Sequence, residues 1–338
     1  MRVYRARSPW HSTHTRTAGN RVALTAYFCG AVLCGAAPAV AEPVVPPVFE
    51  TLCTPTDPGL VELSGVIVGD GVIYGMADSG ADDKLAVLNA DCTLNRWIPN
   101  PVDPFDVEDL QFFDGQLWLS DTGDNRRVRP TIALTRIDPA SGAGELHRLT
   151  YPDGPHDAEA LLIDSSGIPI VVTKEALGVG GVYRPVEGRT VADLPSPGPT
   201  MLEKVGLVDL PGPITGGAVS ADGKVAALRT YSDAFLYWAP EGDIAAALTS
   251  GRGFRIALPR QPQGEAIAFD RDGGLVIGSE STGALQPLQV LRNADDLVRP
   301  ADHTEPAASS SGDRNGLVIG GIAAAVVVAA IVAWRGFR

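Results

Sequence analysis

VEDLQFFDGQLWLSDTGDN, residues 107–125, sets two apolar runs on either side of an Asp-Gly pair and places acidic residues at both outer ends. Short runs rich in Leu, Phe and Trp, broken by a residue pair suited to a tight turn, read as a β-hairpin. A hairpin returns the chain to the face it left. Carboxylates at the start of one strand and the end of the next therefore meet at one edge.

Four other stretches repeat this phrase: LSGVIVGDGVIYGMADSG (63–80), AEALLIDSSGIPIVVTKE (158–175), ITGGAVSADGKVAALRTYS (214–232) and GEAIAFDRDGGLVIGSES (264–281). The residues that open them, Ser64, Glu108, Glu159, Thr215 and Glu265, are spaced by 44, 51, 56 and 50 positions. Repeats of this length, each a meander of short strands, are the signature of propeller blades. Further apolar runs follow each phrase, KLAVLNADC and LNRWI after the first, TIALTRID and ELHRLTY after the second. The last repeat retains only PLQVLRN, so VFETLC (48–53) is expected to supply its outer strand and close the ring. The fold class is therefore all-β, a five-bladed β-propeller from about 44 to 298; a six-bladed ring is the alternative and needs a further repeat.

In a propeller the opening strand of each blade lines the central channel, so the repeat gathers one set of polar residues at one rim. The expected pairs across the hairpins are Ser64 with Asp78, Glu108 with Asp121, Glu159 with Thr173, Thr215 with Arg229, and Glu265 with Ser279. Asp78, Glu108, Asp121, Asn125, Glu159, Lys174, Arg229, Glu265 and Glu280 are the candidate ligand-binding residues. Asp106, Glu108, Asp109, Asp121 and Asp124 make the second repeat the most acidic, and a hard cation such as calcium or another divalent ion would take oxygen ligands of this kind. Glu108, Glu159 and Glu265 are the catalytic candidates, because crowded carboxylates raise one another's pKa. A purely structural role is the fourth reading, with the three glutamates paired to Arg229, Lys174 and Arg126 and the Asp residues capping turns.

Motifs of other chemistries are missing from the chain: there is no G-x-S-x-G, no H-E-x-x-H, no P-loop and no strand-following G-x-G-x-x-G. His156, beside Asp157 and Glu159, is a turn histidine near the rim that has the chemistry of a ligand or base.

The two ends read as addresses rather than fold. Arg2, Arg5, Arg7, Arg16 and Arg21 precede an apolar run that ends in Ala39-Val40-Ala41, so residues 1–41 read as a secretory signal peptide. The propeller is assigned to 42–300 and a polar stalk to 301–315. Leu317–Trp334 is 18 residues without a charge, about 27 Å as a helix, so 316–334 reads as a transmembrane helix. Arg335 and Arg338 lie in the last four residues, 335–338, and place that tail in the cytoplasm and the propeller outside a cell membrane crossed once. A glycolipid-anchor signal is the alternative reading of the same tail. Cys53 and Cys92 remain after cleavage, in an oxidising compartment, and are expected to form a disulfide.

Residues 1–41 hold five of the 27 basic residues and none of the 40 acidic ones, so the remaining 22 against 40 leave a formal charge of −18. That balance excludes nucleic acid as a partner and suits cationic or polar ones.

The phrases DVEDL and LWLSDTGDNRRVR, DAEALLID with IVVTKE, and GEAIAFD with LVIGSE resemble a group of exported bacterial β-propeller proteins of actinobacterial type. That group is distantly similar to the esterase-like phytase, SdiA-regulated and SMP-30-type lactonase propellers. The resemblance implies a propeller and an exported location. The enzymatic relatives hold divalent metals with carboxylate and amide side chains in six blades, and their ligands do not map onto this chain residue by residue. Five-bladed glycosidases use three channel carboxylates, the roles in which Glu108, Glu159 and Glu265 would be cast. The expectation is a membrane-anchored extracellular binding or scaffold module, for a cationic or polar small molecule, a glycan or a surface protein, with calcium as the cation the rim would take. The alternative is a metal-dependent hydrolase acting on a phosphate ester, a lactone or a glycan.

Overall fold

The computed structural model describes residues 48–78, 82–251 and 253–300. The signal peptide, stalk, transmembrane helix and tail expected from the sequence lie outside these residues. Among the described residues no helix is long and apolar enough to cross a membrane.

After β1 (Glu50–Cys53), the first phrase folds as β2 (Leu63–Val68) and β3 (Val72–Ala77), followed by β4 (Lys84–Asn89) and β5 (Leu94–Pro99). The second gives β6 (Val107–Phe113) and β7 (Gln116–Asp121), then β8 (Ile132–Ile137) and β9 (Gly144–Thr150). The third gives β10 (Ala158–Ile163), β11 (Pro169–Thr173), β12 (Val179–Pro185) and β13 (Thr200–Asp209). The fourth gives β14 (Ile214–Val219), β15 (Val225–Thr230), β16 (Asp233–Trp238), a short helix α1 (Ile244–Thr249) and β17 (Phe254–Ala257). The fifth gives β18 (Gln263–Phe269), β19 (Leu275–Glu280) and β20 (Leu288–Leu291). In each quoted phrase the turn glycine adopts a left-handed φ, as at Gly115 (75°) and Gly223 (72°), a conformation that penalises any Cβ.

Each group of strands is an antiparallel meander. Three stand as separate four-stranded sheets, β2-β3-β4-β5, β14-β15-β16-β17 and β18-β19-β20-β1. The other two form one eight-stranded sheet, because β13 and β9 share a short parallel pairing at Thr200↔Leu149 and Met201↔Thr150. β1 pairs with β20, Glu50↔Val290, as the edge argument anticipated. The opening strands pack in a closed order: β2 on β6, β6 on β10, β10 on β14, β14 on β18, and β18 on β2. The result is a propeller-like all-β fold.

Apolar layers separate successive meanders. Met76 and Leu85 meet Leu110 and Leu119; Trp118 and Leu134 meet Leu161 and Val171; Leu162 and Val172 meet Leu228 and Phe235. Leu236 and Ile256 then meet Ile267 and Ile277, and Ala266 and Val276 close back on Leu63 and Ile73. Inner strands covered on both faces explain their nearly unbroken apolar sequences. Each fully buried Leu or Ile in these layers contributes about 1.5–3 kcal/mol. The Cys53–Cys92 disulfide, with Cα atoms 5.7 Å apart, ties β1 in the last meander to the β4–β5 turn of the first.

Candidate functional site

Every opening strand begins with a break in pairing register: between Leu63 and Gly65, Val107 and Asp109, Ala158 and Ala160, Ile214 and Gly216, and Gly264 and Ile267. Ser64, Glu108, Glu159, Thr215 and Glu265 sit in these bulges. The expected cross-hairpin partners are therefore off by one: Asp121 faces Val107, Thr173 faces Ala158, Arg229 faces Gly216 and Ser279 faces Gly264. A bulge leaves one residue unpaired and re-aims its side chain; Ser64, Glu108, Glu159 and Glu265 converge on one buried cluster, while Thr215 Oγ1 donates to the Gly264 carbonyl (3.0 Å).

The three glutamates are 3–4 % exposed. Ser64 Oγ donates to Glu265 Oε2 (3.0 Å), and Gln263 Nε2 donates to Glu265 Oε1 (3.1 Å) and Glu280 Oε2 (2.5 Å). Lys174 Nζ is ion-paired with Glu159 Oε1, and Tyr231 lies under the same ammonium, 5.7 Å from its ring centre. Glu159 Oε2 and Glu280 Oε1 are buried and have no hydrogen-bond partner. Gly123 leaves the space into which Glu108 Oε1 and Asp106 Oδ2 project, since a Cβ there would collide with both.

Burial, reinforced by Glu159, Asp106, Asp78 and Glu265, pushes Glu108 up to about 11. Burial and a hydrogen bond to Glu265 push Glu280 up to about 9. Burial raises Glu159 to about 8 even though Lys174 pulls it down; burial works against Lys174, which Glu159 holds above the usual lysine range. The direct contact favours the charged form of both, and the two form an ion pair. Asp106 is raised by burial and by the neighbouring Asp157. Carboxyl groups thus converge here in greater number than the protein supplies cations.

Arg229, fully buried, does not supply one directly. Its guanidinium donates to the carbonyls of Ala266 (2.7 Å) and Gly278 (3.0 Å) and to Gln261 Oε1 (3.0 Å). Burial lowers it to about 9, with Glu265 the main opposing influence. It braces β15 against β18 and β19 behind the cluster.

The five residues expected to hold a cation are not gathered. Asp109 turns inward and accepts the backbone N–H groups of Leu110 (2.8 Å), Leu161 (2.8 Å) and Gly217 (3.2 Å). Asp121 pairs with Arg129 (2.8 Å) and accepts from Phe105 and Asp106 N–H. Asp124 accepts from Arg129 N (2.7 Å). Among the described residues, no group of three His, Cys, Asp or Glu side chains is arranged to hold a metal ion. Asn125 and Arg126 are exposed, and of the expected glutamate pairings only Lys174 with Glu159 forms as drawn. His156 joins Asp153 and Tyr183 in a separate cluster, with Nε2 2.9 Å from Asp153 Oδ1.

Sequence reasoning missed Gln263 and Tyr231. Both were within reach of period-two alternation, Gln263 two residues before Glu265 and Tyr231 two after Arg229, but neither carries a charge to draw attention.

No family model matches the chain, and no curated protein matches it. Among solved structures, hydrazine synthase of Kuenenia stuttgartiensis aligns at a TM-score of 0.40 and 13% identity, over 69% of this chain and 72% of that one. A catalytically inactive virginiamycin B lyase from Staphylococcus aureus with quinupristin aligns at 0.37 and 12%, over 71% and 74%. A luciferin-regenerating enzyme aligns at 0.44 and 12%, over 72% and 95%.

Proposed function

We propose that the five meanders are the blades of a five-bladed propeller, exported and anchored by the C-terminal apolar segment, whose acidic channel mouth binds a small organic cation such as a primary amine or a guanidine. The carrying observation is the buried cluster Glu108, Glu159, Glu265 and Glu280, whose adjacent ammonium, Lys174, is matched to one carboxylate. Two buried carboxylate oxygens with no partner, Glu159 Oε2 and Glu280 Oε1, support the same reading. A cation would offset the burial, and the carboxylate repulsion that adds to it, which hold Glu108 and Glu280 above the usual carboxylate range. Binding then releases protons, and affinity rises with pH.

Calorimetry of the full chain with arginine methyl ester and with spermidine, in buffers of different ionisation enthalpy, tests this. The expected result is binding accompanied by proton release and stronger at pH 8.5 than at pH 6, and weakened about tenfold or more by Glu159→Gln. Absence of binding to either cation, or binding indifferent to pH, overturns the reading. Calcium and manganese added in place of the amines test the divalent-ion version.

A second reading rests on Glu108. A carboxyl that keeps its proton beside a Lys174-paired carboxylate is the division of labour of an acid–base hydrolase. Turnover of glycoside or ester substrates that disappears in Glu108→Gln would favour it; turnover unaffected by that change would remove it.

A further inference from the structure

The ring of opening strands has a second end, at the hairpin turns, and a cavity of about 570 Å³ opens there. The far ends of β2, β6, β14 and β18 form its wall. Between the two ends, β6 reaches across to β14, which is not its neighbour in the ring. Asp109 accepts the Gly217 N–H (3.2 Å), and Gln111 Nε2 donates to the Gly217 carbonyl (3.0 Å). These bonds cross the ring and set Gln111 at the inner side of the cavity.

Three residues after Ser64, Glu108, Glu159, Thr215 and Glu265 stand Ile67, Gln111, Leu162, Ala218 and Ala268. Two of these five are alanines, which leaves the space open, and one is an amide in an otherwise apolar set. The Gly217 carbonyl only accepts, so the amide must present Nε2 to it. That bond fixes the side chain. It leaves Oε1 as an acceptor with no donor among the described residues. Gln111 lines the cavity, and Oε1 is not sealed from it.

The wall beside Gln111 is aromatic. Tyr74 of β3 and Phe112 of β6 hold their rings within 10° of parallel, with centres 6.4 Å apart. Phe112 is 46 % exposed and Tyr74 is half-buried, so both rings are open to a ligand. Rings so aligned offer a flat surface on which another ring can stack. The charges at the rim are already matched. Asp70 pairs with Arg271; Asp270 accepts the N–H groups of Asp272 (3.0 Å) and Gly274 (2.6 Å) and lies 3.7 Å from Arg292. A charged ligand gains little there.

We propose that this cavity binds a small, uncharged, planar aromatic molecule carrying one N–H or O–H, of the indole or naphthol kind. Its ring lies against Tyr74 and Phe112, and its donor gives a hydrogen bond to Gln111 Oε1. The volume falls within the range of ordinary ligand pockets, roughly 300–1,000 Å³. The site is separate from the acidic mouth and does not rest on the cation reading.

Calorimetric titration of the full chain with indole tests this. Indole should bind saturably. 1-Methylindole has the same ring system without the N–H, and indole-3-acetate adds a negative charge; each should bind about tenfold more weakly or worse. Phe112→Ala truncates an exposed side chain and should weaken indole about tenfold at an unchanged melting temperature. In Gln111→Met, indole and 1-methylindole should bind alike. Failure of indole to bind overturns the proposal. So does equal affinity of the wild-type chain for indole and 1-methylindole, the result for an apolar patch without a directed acceptor. An indole affinity unmoved by Phe112→Ala overturns it as well.

Discussion

Asp109 and Glu108 are chain neighbours with opposite fates. The bulge at the start of β6 turns Glu108 into the mouth and Asp109 back into the sheet junction, where one carboxylate serves N–H groups on β6, β10 and β14. Burial raises Asp109 to about 8 against the pull of those three donors. Asp109→Ala leaves buried donors unmatched, so it should destabilise the fold by about 3 kcal/mol or more, read by urea denaturation. Glu108 makes a prediction of the other sign. Its folded pKa lies above the unfolded value, so its contribution is fully present below about pH 4.5 and is lost as pH rises toward about 11. Glu280 adds the same trend up to about 9. The protein should therefore melt at a higher temperature near pH 5 than near pH 8. Glu108→Gln should reduce that slope, by up to about 1.4 kcal/mol per pH unit, and raise the melting temperature at the alkaline end. A flat profile in the wild-type chain would show that the cluster is not held protonated.

At the scale of the element, the repeated device is a hairpin with a bulge at its entrance and a left-handed glycine at its turn. The turn glycines could be read directly from the Asp-Gly and Ser-Gly pairs. The bulges could not, because a one-residue register shift leaves no mark in composition; the offset across each hairpin looked regular and was wrong by one. Gly123 depends on this arrangement. Gly123→Ala should displace Glu108 and Asp106 and weaken amine binding at the mouth more than it lowers the melting temperature, measured by calorimetry and by thermal unfolding of the same sample. β1 is the other informative element. It is four residues long and held by β20 and by the Cys53–Cys92 bond, which encloses a separation of 39 residues. Removing the bond with Cys53→Ser should cost about 4 kcal/mol by the loop-entropy estimate. An unchanged denaturation midpoint would mean that β1 contributes little to closing the last sheet.

At the scale of the whole molecule, closure is what concentrates charge. A ring in which each opening strand contacts the next brings residues from positions 64, 108, 159 and 265 to one place, and the low-polarity walls around them strengthen every interaction there. The chain beyond residue 41 carries a surplus of acids over bases, a balance that favours the approach of cations. Association of a cationic ligand should therefore be steered, with an on-rate that falls about tenfold or more between low and high salt. Stopped-flow measurements with a fluorescent amine check this, and an on-rate independent of salt would argue that the mouth is neutralised before the ligand arrives.

The strand order, the turns, the number of repeated phrases, the source of the outermost last strand and the cysteine pair were all legible in the amino-acid sequence. These are local or periodic features: apolar runs, glycine chemistry, spacing, and a count of two. It also named most of the mouth, because charged residues at repeated positions stand out from an apolar background. What each carboxylate does depends on contacts that form when the strands come together. Asp109, Asp121 and Asp124 looked like cation ligands and are committed to backbone N–H groups and Arg129, while Gln263 and Tyr231 looked unremarkable and border the cluster. Arg229 looked like a pocket cation and is buried beneath the cluster on backbone carbonyls. The physical reason is the same in each case. A polar side chain's role is set by which groups lie within about 3 Å of it, and here those groups range from the neighbouring loop, as Arg129 for Asp121 and Asp124, to strands far along the chain, as β10 and β14 for Asp109, oriented by bulges that the sequence does not announce.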